Sequence, residues 1–377
     1  MSLKRNLLIV SDTKIQKSGN QYYGFNSVVL ELDVFKRLFN KITWIGFDYS
    51  DQSKDQSLLE IVGDNIEVIL LPRSGGKTVW SKLKIFFNIP LYFFNILNQV
   101  RNNKFIHVRG PSGPMFLAHI ISFIYSRKQW FFKYANNWND ANPPVFWHIQ
   151  KKFMIQQSWI KGMVNGQWPD MPPHLMALEN PCIKVSELDN LNLSKFDNIP
   201  KRLLFVGRIE FEKGILTFLE SLSRVNLEKI DTISIVGMGK NIKYLNEFLA
   251  NNLLEVKIEY LGSQSKESVV NLMKLSHFLV LPTTASEGFP KVVAEAWSVG
   301  CLPISSNISS IGQYVKHHAN GFIWDYSRKI DFAEILNDAL EFDSIELREL
   351  VKNGFDESQK FTYVNYEKRL NSIFNFN

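Results

Sequence analysis

Cysteine is scarce in this chain: Cys182 and Cys301 are the two among 377 residues. So few thiols support neither a disulfide framework nor a tetrahedral metal site, and a reducing, cytoplasmic setting is expected. Long apolar runs are missing too. The nearest approach, IFFNIPLYFFNIL at residues 85 to 97, is interrupted by Asn88, Pro90 and Asn95 and falls short of the roughly 18 apolar residues needed to span a bilayer. The opening MSLKRNLLIVSD offers two cations and a four-residue apolar run, too short for the core of a signal peptide. Leu7 to Val10 read instead as a first buried strand. Zinc-finger spacing, helix-turn-helix and RNP-like strands are absent, which disfavours nucleic acid as a partner. Repeats of solenoid period are absent as well.

What is present is the composition of a folded protein, 45% apolar and 21% charged. A chain of 377 residues exceeds one ordinary core, and two domains of about 150 to 200 residues are the natural expectation. Charge is uneven along it. Residues 1 to 185 carry 22 Lys and Arg against 12 Asp and Glu, and the remainder 21 against 25. A basic first half facing an acidic partner follows, and an anionic membrane surface is the better candidate.

Strand-like runs alternate with helix-length segments throughout, the pattern of parallel α/β units. NLLIV, ITWIGF, IEVILL, FIHV and QWFFKYA mark the first half; RLLFVG, TISIVGMG, VKIEYLG, FLVLP and LPISS mark the second. Two Rossmann-like doubly wound domains in tandem are expected. The proline-rich stretch VNGQWPDMPPHLMALENPCIK argues for a junction near residue 185, giving domains at 1–185 and 186–360. Residues 361–377 read as a terminal amphipathic helix with Val364, Leu370 and Phe374 apolar, packing back on the first domain.

Such domains bind ligands outside the carboxyl ends of their strands. There, LLFVGRIEFEKGI places Gly207 at a strand end, then Arg208, then Lys213 and Gly214 where a helix should open. Two cations five residues apart can reach one diphosphate; the same pair could equally be surface charge. VGMG, with Gly237, falls short of the dinucleotide fingerprint because position 242 is Ile. In SSNISSIGQYV, Ser309 and Ser310 suit either a phosphate cradle or simple N-caps. SEGFPKVVAEAWSVG sets Glu287 in a loop and Glu295 in a helix, with Pro290 at the first helical position, Val293, Ala296 and Trp297 facing the core, and Gly300 as the stop. Solvated glutamates would fit that spacing as well.

Together GRIEFEKG, VGMG, YLGSQSKESVVNLM, SEGFPKVVAEAWSVGCLPISSN and NGFIW resemble the retaining glycosyltransferases of family 4. The resemblance is dense over residues 203 to 325, and the E-x7-E element of Glu287 and Glu295 is its most specific part. It implies a GT-B fold, two Rossmann-like domains facing a cleft, and transfer of a sugar from a UDP- or GDP-sugar without a metal cofactor. By position, Glu295 would hold the ribose and Glu287 the donor sugar, with Arg208 and Lys213 neutralising the diphosphate. Gly207 and the backbone around Gly288 and Phe289 would line the site, and the base would lie near Gly237 and Gly262. The histidine that many relatives carry in the first domain is replaced here by Asn136 and Asn137, with His107 and Arg109 at the preceding strand end. That departure keeps a non-catalytic sugar-nucleotide-binding subunit open as a reading, alongside an epimerase or phosphorylase of the same fold.

The first domain would receive a glycan or lipid-linked acceptor of bacterial-type surface polysaccharide synthesis. Lys77, Lys82 and Lys84 with Trp80, Phe86, Phe87, Tyr92 and Phe93 suggest peripheral contact with anionic lipid at the inner face of the cell membrane.

Overall fold

A computed structural model describes residues 5–52, 58–73, 79–188, 191, 193–197, 200–251 and 254–376, without the side chains of 79–86. Lys77 and the side chains of Trp80, Lys82, Lys84 and Phe86 therefore lie outside the described residues. The chain divides into two compact units, Met1–Leu178 with Glu367–Asn377, and Glu179–Tyr366. The division falls earlier than residue 185, and the proline-rich stretch expected to be junction contributes a strand to the first unit.

Unit 1 comprises β1 (Asn6–Ser18), β2 (Gln21–Phe25), α1 (Asn26–Leu38), β3 (Lys41–Asp48), β4 (Leu58–Glu60), β5 (Ile66–Pro72), α2 (Val79–Asn102), β6 (Phe105–Gly110), α3 (Gly113–Ile124), β7 (Gln129–Tyr134), α4 (Val145–Gln156), β8 (Lys161–Val164) and β9 (Leu175–Ala177). Strands β5, β3, β1, β6, β7, β8 and β9 lie side by side in parallel, and the order reverses between β1 and β6. The segment KIQKSGNQYYGFNS is mostly a hairpin: the far half of β1 pairs antiparallel with β2, which pairs with β4. One face of the sheet packs Leu8, Val10, Ile106, Val108 and Phe132 against α2, α3 and α4 through Tyr92, Ile96, Met115, Ile121 and Met154.

Unit 2 comprises β10 (Lys201–Val206), α5 (Ile215–Ser221), β11 (Ile230–Val236), α6 (Ile242–Asn251), β12 (Lys257–Tyr260), α7 (Lys266–Leu275), β13 (Phe278–Leu281), α8 (Lys291–Ser298), β14 (Leu302–Ser306), α9 (Ile311–Tyr314), β15 (Phe322–Trp324), α10 (Phe332–Glu341) and α11 (Ser344–Ser358). Its strands run parallel in the order β12-β11-β10-β13-β14-β15. From β10 the chain builds outward one way and from β13 the other, so the switch point lies between those two strands. The core face of α8 is as expected, with Val293, Ala296 and Trp297 buried and the indole Nε1 donating to Asn320 O at 2.7 Å. Pro290 is the N-cap residue rather than the first helical one, and Gly300 takes φ +74° beyond the helix.

The terminal helix α12 (Tyr363–Phe374) buries Tyr366, Leu370, Ile373 and Phe374, while Val364 is exposed and does not join the apolar stripe. Its later residues belong to unit 1. Phe374 packs edge-on against Phe39 and Phe105, and Arg37 pairs with Glu367 at 2.6 Å.

Candidate functional site

The loops that follow β10 and β13 meet at the switch point of unit 2, where an open parallel sheet leaves a crevice. A single carbonyl fixes them together. Glu212 O, in the turn after β10, accepts from Thr283 Oγ1 at 3.0 Å, Thr284 N at 2.9 Å and Ala285 N at 3.0 Å, all in the loop after β13. The docked loops bring Lys213 Nζ into a hydrogen-bonded ion pair with Glu287 Oε1, 74 residues away in the chain. Lys213 is 12% exposed and Glu287 40% exposed, so the ammonium is held at the bottom of the pair and the carboxylate faces solvent. Gly214 makes the turn possible: its φ is +86°, and a Cβ there would sit 2.1 Å from Pro282 O. Arg208 stands beside this pair in sequence but is mostly exposed, with Nη1 2.8 Å from Glu210 Oε2.

Three glycines line the ends of the neighbouring strands. Gly207 N donates to Val236 O at 3.0 Å and Gly237 N to Gly262 O at 2.8 Å, which ties the ends of β10, β11 and β12 into one rim. Without side chains, that rim presents backbone to whatever approaches. Tyr260 closes it from below, its hydroxyl donating to Gly237 O at 3.0 Å.

The electrostatic neighbours of Glu295 are Lys266, Lys291 and Glu187; burial raises its carboxyl above the ordinary glutamate value, Lys266 and Lys291 pull it down, and Glu187 pushes it up. Lys266 Nζ also holds Cys182 O at 3.0 Å and lies 3.4 Å from Glu187 Oε2. Sequence reading missed both lysines. Each opens a helix at its positive end, α7 and α8, where the macrodipole favours acids, and that misplacement was the available signal.

Several expected ligand-facing residues are structural. The Phe289 ring is buried, stacked on Phe361 at 4.6 Å and edge-on to Tyr314 at 4.9 Å, so only its backbone is left for a site role. Gly288 is buried beside it. His107 is fully enclosed in unit 1, stacked on Phe131 and tilted against Phe35, and burial together with the Arg109 and Lys133 charges holds its imidazole well below the usual histidine range. It is a neutral core side chain that no ligand can reach. Arg109 is tied to buried Glu31 at 2.6 Å, which also takes Lys133 at 2.9 Å, a network in which each charge offsets another's desolvation. Asn137 is buried, and its Oδ1 accepts from Asn139 N at 3.0 Å, shaping the loop after β7. Ser310 is the N-cap residue of α9, a single turn, but its side chain makes no cap hydrogen bond.

Among the described residues one trio lies within metal-ligand distance, His317, His318 and Asp338, all on the surface of unit 2. His318 Nε2 is 2.6 Å from Asp338 Oδ2. His317 Nδ1 accepts from Ile323 N at 3.2 Å, so its Nε2 carries the proton and offers no lone pair. His317 Nε2 stands 3.8 Å from the same Asp338 oxygen that His318 holds.

Comparison with known proteins bears on these loops directly. Residues 191–356 match the family model of glycosyl transferases group 1. That stretch contains Gly207, Lys213, Gly237, Gly262, Glu287 and Glu295. An uncharacterized glycosyltransferase of Methanocaldococcus jannaschii is 27% identical over 160 residues, 42% of this chain and 44% of the relative. The lipopolysaccharide 1,6-galactosyltransferase of Salmonella typhimurium is 30% identical over 142 residues, 37% of this chain and 39% of the relative. The matched stretch thus spans under half the length of either. Likeness of fold extends over the whole chain: Anabaena HepE, solved in complex with UDP, superposes with a TM-score of 0.70 at 16% identity, covering 99% of this chain and 100% of that one. The fold is α/β of the GT-B type, with two parallel-sheet Rossmann-like units.

Proposed function

We propose that this protein is a retaining glycosyltransferase that moves a sugar from a UDP- or GDP-sugar to a glycan or lipid-linked acceptor, as in the synthesis of surface polysaccharides. The observation that carries the reading is the Lys213–Glu287 pair at the switch point of unit 2, beside a rim of glycine backbone. Lys213 would meet the diphosphate as its bond to the sugar breaks. Glu287, already holding that ammonium in place, would present its solvent-facing oxygen to the sugar hydroxyls. A cation held in position before the reaction lowers the barrier because nothing need reorganise as charge develops. Arg208, exposed and paired with Glu210, would swing in as a second cation. The base would lie on the glycine rim, and Glu295, between Lys266 and Lys291, would accept from the ribose hydroxyls. With the leaving phosphate deprotonating the acceptor oxygen on the same face, the sugar keeps its configuration. Neighbours carrying UDP, and the galactosyltransferase relative, support a nucleotide-sugar donor.

Melting curves with UDP, GDP, ADP, CMP and NAD test the donor class, since a ligand at about 100 times its Kd adds about 2.7 kcal/mol of stability. Selective stabilisation by UDP or GDP is expected, and slow hydrolysis of the matching nucleotide sugar separates an enzyme from a binding subunit. Glu295→Gln is expected to weaken nucleotide binding about tenfold, because a charged hydrogen bond is worth about 1.5 to 3 kcal/mol. The same variant should change stability in the opposite sense. A carboxyl with its folded pKa raised contributes stability at low pH and loses it as pH rises through that pKa. The melting temperature of Glu295→Gln relative to wild type should therefore climb as pH rises above the ordinary glutamate value. A flat difference would mean that the carboxylate is solvated.

A further inference from the structure

Helices α2, α3 and α4 form one layer on the same face of the unit 1 sheet, and each spends one side on that core. Their opposite sides are apolar as well. On α2, Phe87, Leu91 and Phe94 are exposed at spacings of four and three, a single outward stripe, with Phe87 81% exposed. On α3, Ile120, Phe123 and Ile124 repeat the pattern, and Ile124 is 68% exposed. Val145, 77% exposed, and Ile149 continue it on α4, one turn before Lys152. None of the three helices contains Asp or Glu. The surrounding chain is equally one-sided: from residue 68 to residue 169 there are 13 Lys and Arg and one acid, Asp140.

We propose that the outer face of the α2–α3–α4 layer is a docking face for an anionic lipid bilayer. Apolar stripes suit the boundary between headgroups and acyl chains, while a cation-rich, acid-poor surround suits a negative surface. Arg101, Lys104 and Arg127 are exposed where α2 and α3 end, and these ends adjoin, since Arg101 Nε donates to Tyr125 Oη at 3.0 Å. Lys152 supplies a further exposed cation from α4. A second copy of this chain suits the face less well, because a two-fold contact would set cations against cations. No helix among the described residues is long and apolar enough to cross a membrane, so the contact is with a surface. The inference rests on the proposed lipid-linked acceptor for its purpose, but its observations lie wholly in unit 1.

The test is sedimentation of the full chain with phosphatidylcholine vesicles, with and without about one-third phosphatidylglycerol, at low and high salt. Binding is expected on the anionic vesicles and should be at least about tenfold weaker on the neutral ones. Combined Phe87→Ser, Phe94→Ser and Phe123→Ser should reduce partitioning at least about tenfold. Combined Lys104→Gln, Arg127→Gln and Lys152→Gln should do so on anionic vesicles alone. All six residues are exposed, and an unchanged melting curve with retained nucleotide stabilisation confirms that each variant is folded. No sedimentation at low salt, or binding that neither variant alters, overturns the proposal. So does a serine variant that turns a dimer into a monomer without affecting vesicles, which would assign the face to a second copy. Absence of nucleotide stabilisation in wild type would count against the donor reading and leave the vesicle result intact.

Discussion

Lys213→Ala is expected to lower kcat by about 100- to 1,000-fold, the usual cost of removing one preorganised group that stabilises transition-state charge. Stability should hardly change. Glu287 is 40% exposed, so water screens the pair, and its loss is worth at most about 1 kcal/mol. This split between activity and melting temperature is the signature of an ammonium held for a ligand. Steady-state turnover of the nucleotide sugar beside a thermal melt reads both. A large drop in melting temperature with unchanged turnover would instead make the pair a clamp between the loops after β10 and β13. Those loops have a clamp already in the three donors gathered on Glu212 O.

The second large effect separates two glycines of the same rim. Gly237 has φ +139°, and a Cβ there would lie 1.8 Å from Gly207 O, so Gly237→Ala forces two strand ends apart. A loss of about 3 kcal/mol or more is expected from backbone strain and overpacking together. Gly207→Ala meets nothing nearer than the Phe205 ring at 3.6 Å. That variant should fold with a stability change under about 1 kcal/mol. If the rim receives a nucleotide, its methyl group will nevertheless intrude where backbone was meant to approach, and stabilisation by UDP or GDP should fall. Chemical denaturation of both variants, with and without nucleotide, checks the contrast. Equal stability of the two would show that the strand ends can part freely.

Much of this was local enough to read from the residues. Strands of β-branched and aromatic residues at regular intervals specify parallel α/β units, because each apolar run must be buried on both faces of a sheet. The spacing of Val293, Ala296 and Trp297 identified the buried face of α8 for the same kind of reason, since helical periodicity is a property of neighbours in the chain. Strand-end glycines were visible as punctuation. Short strands were not: β9 sits among prolines, and β2 and β4 depend on pairing partners that only the folded sheet supplies.

Contacts between residues far apart in the chain were decided by tertiary structure alone. The ion pair of Lys213 with Glu287 requires the loops of two adjacent strands to dock through Glu212 O. Glu295 meets Lys266 because α7 packs beside α8, whereas Lys291, one turn earlier on α8, is a neighbour in the chain. His107 looked available and is enclosed by rings contributed from other elements. The last residues of the chain return to unit 1, where Phe374 completes a cluster with Phe39 and Phe105. Sequence by itself determined which segments seek burial and with what period, since those preferences act over a few residues. Which side chains were left facing a ligand was settled only when distant segments packed, because exposure is what remains after every other surface has been covered.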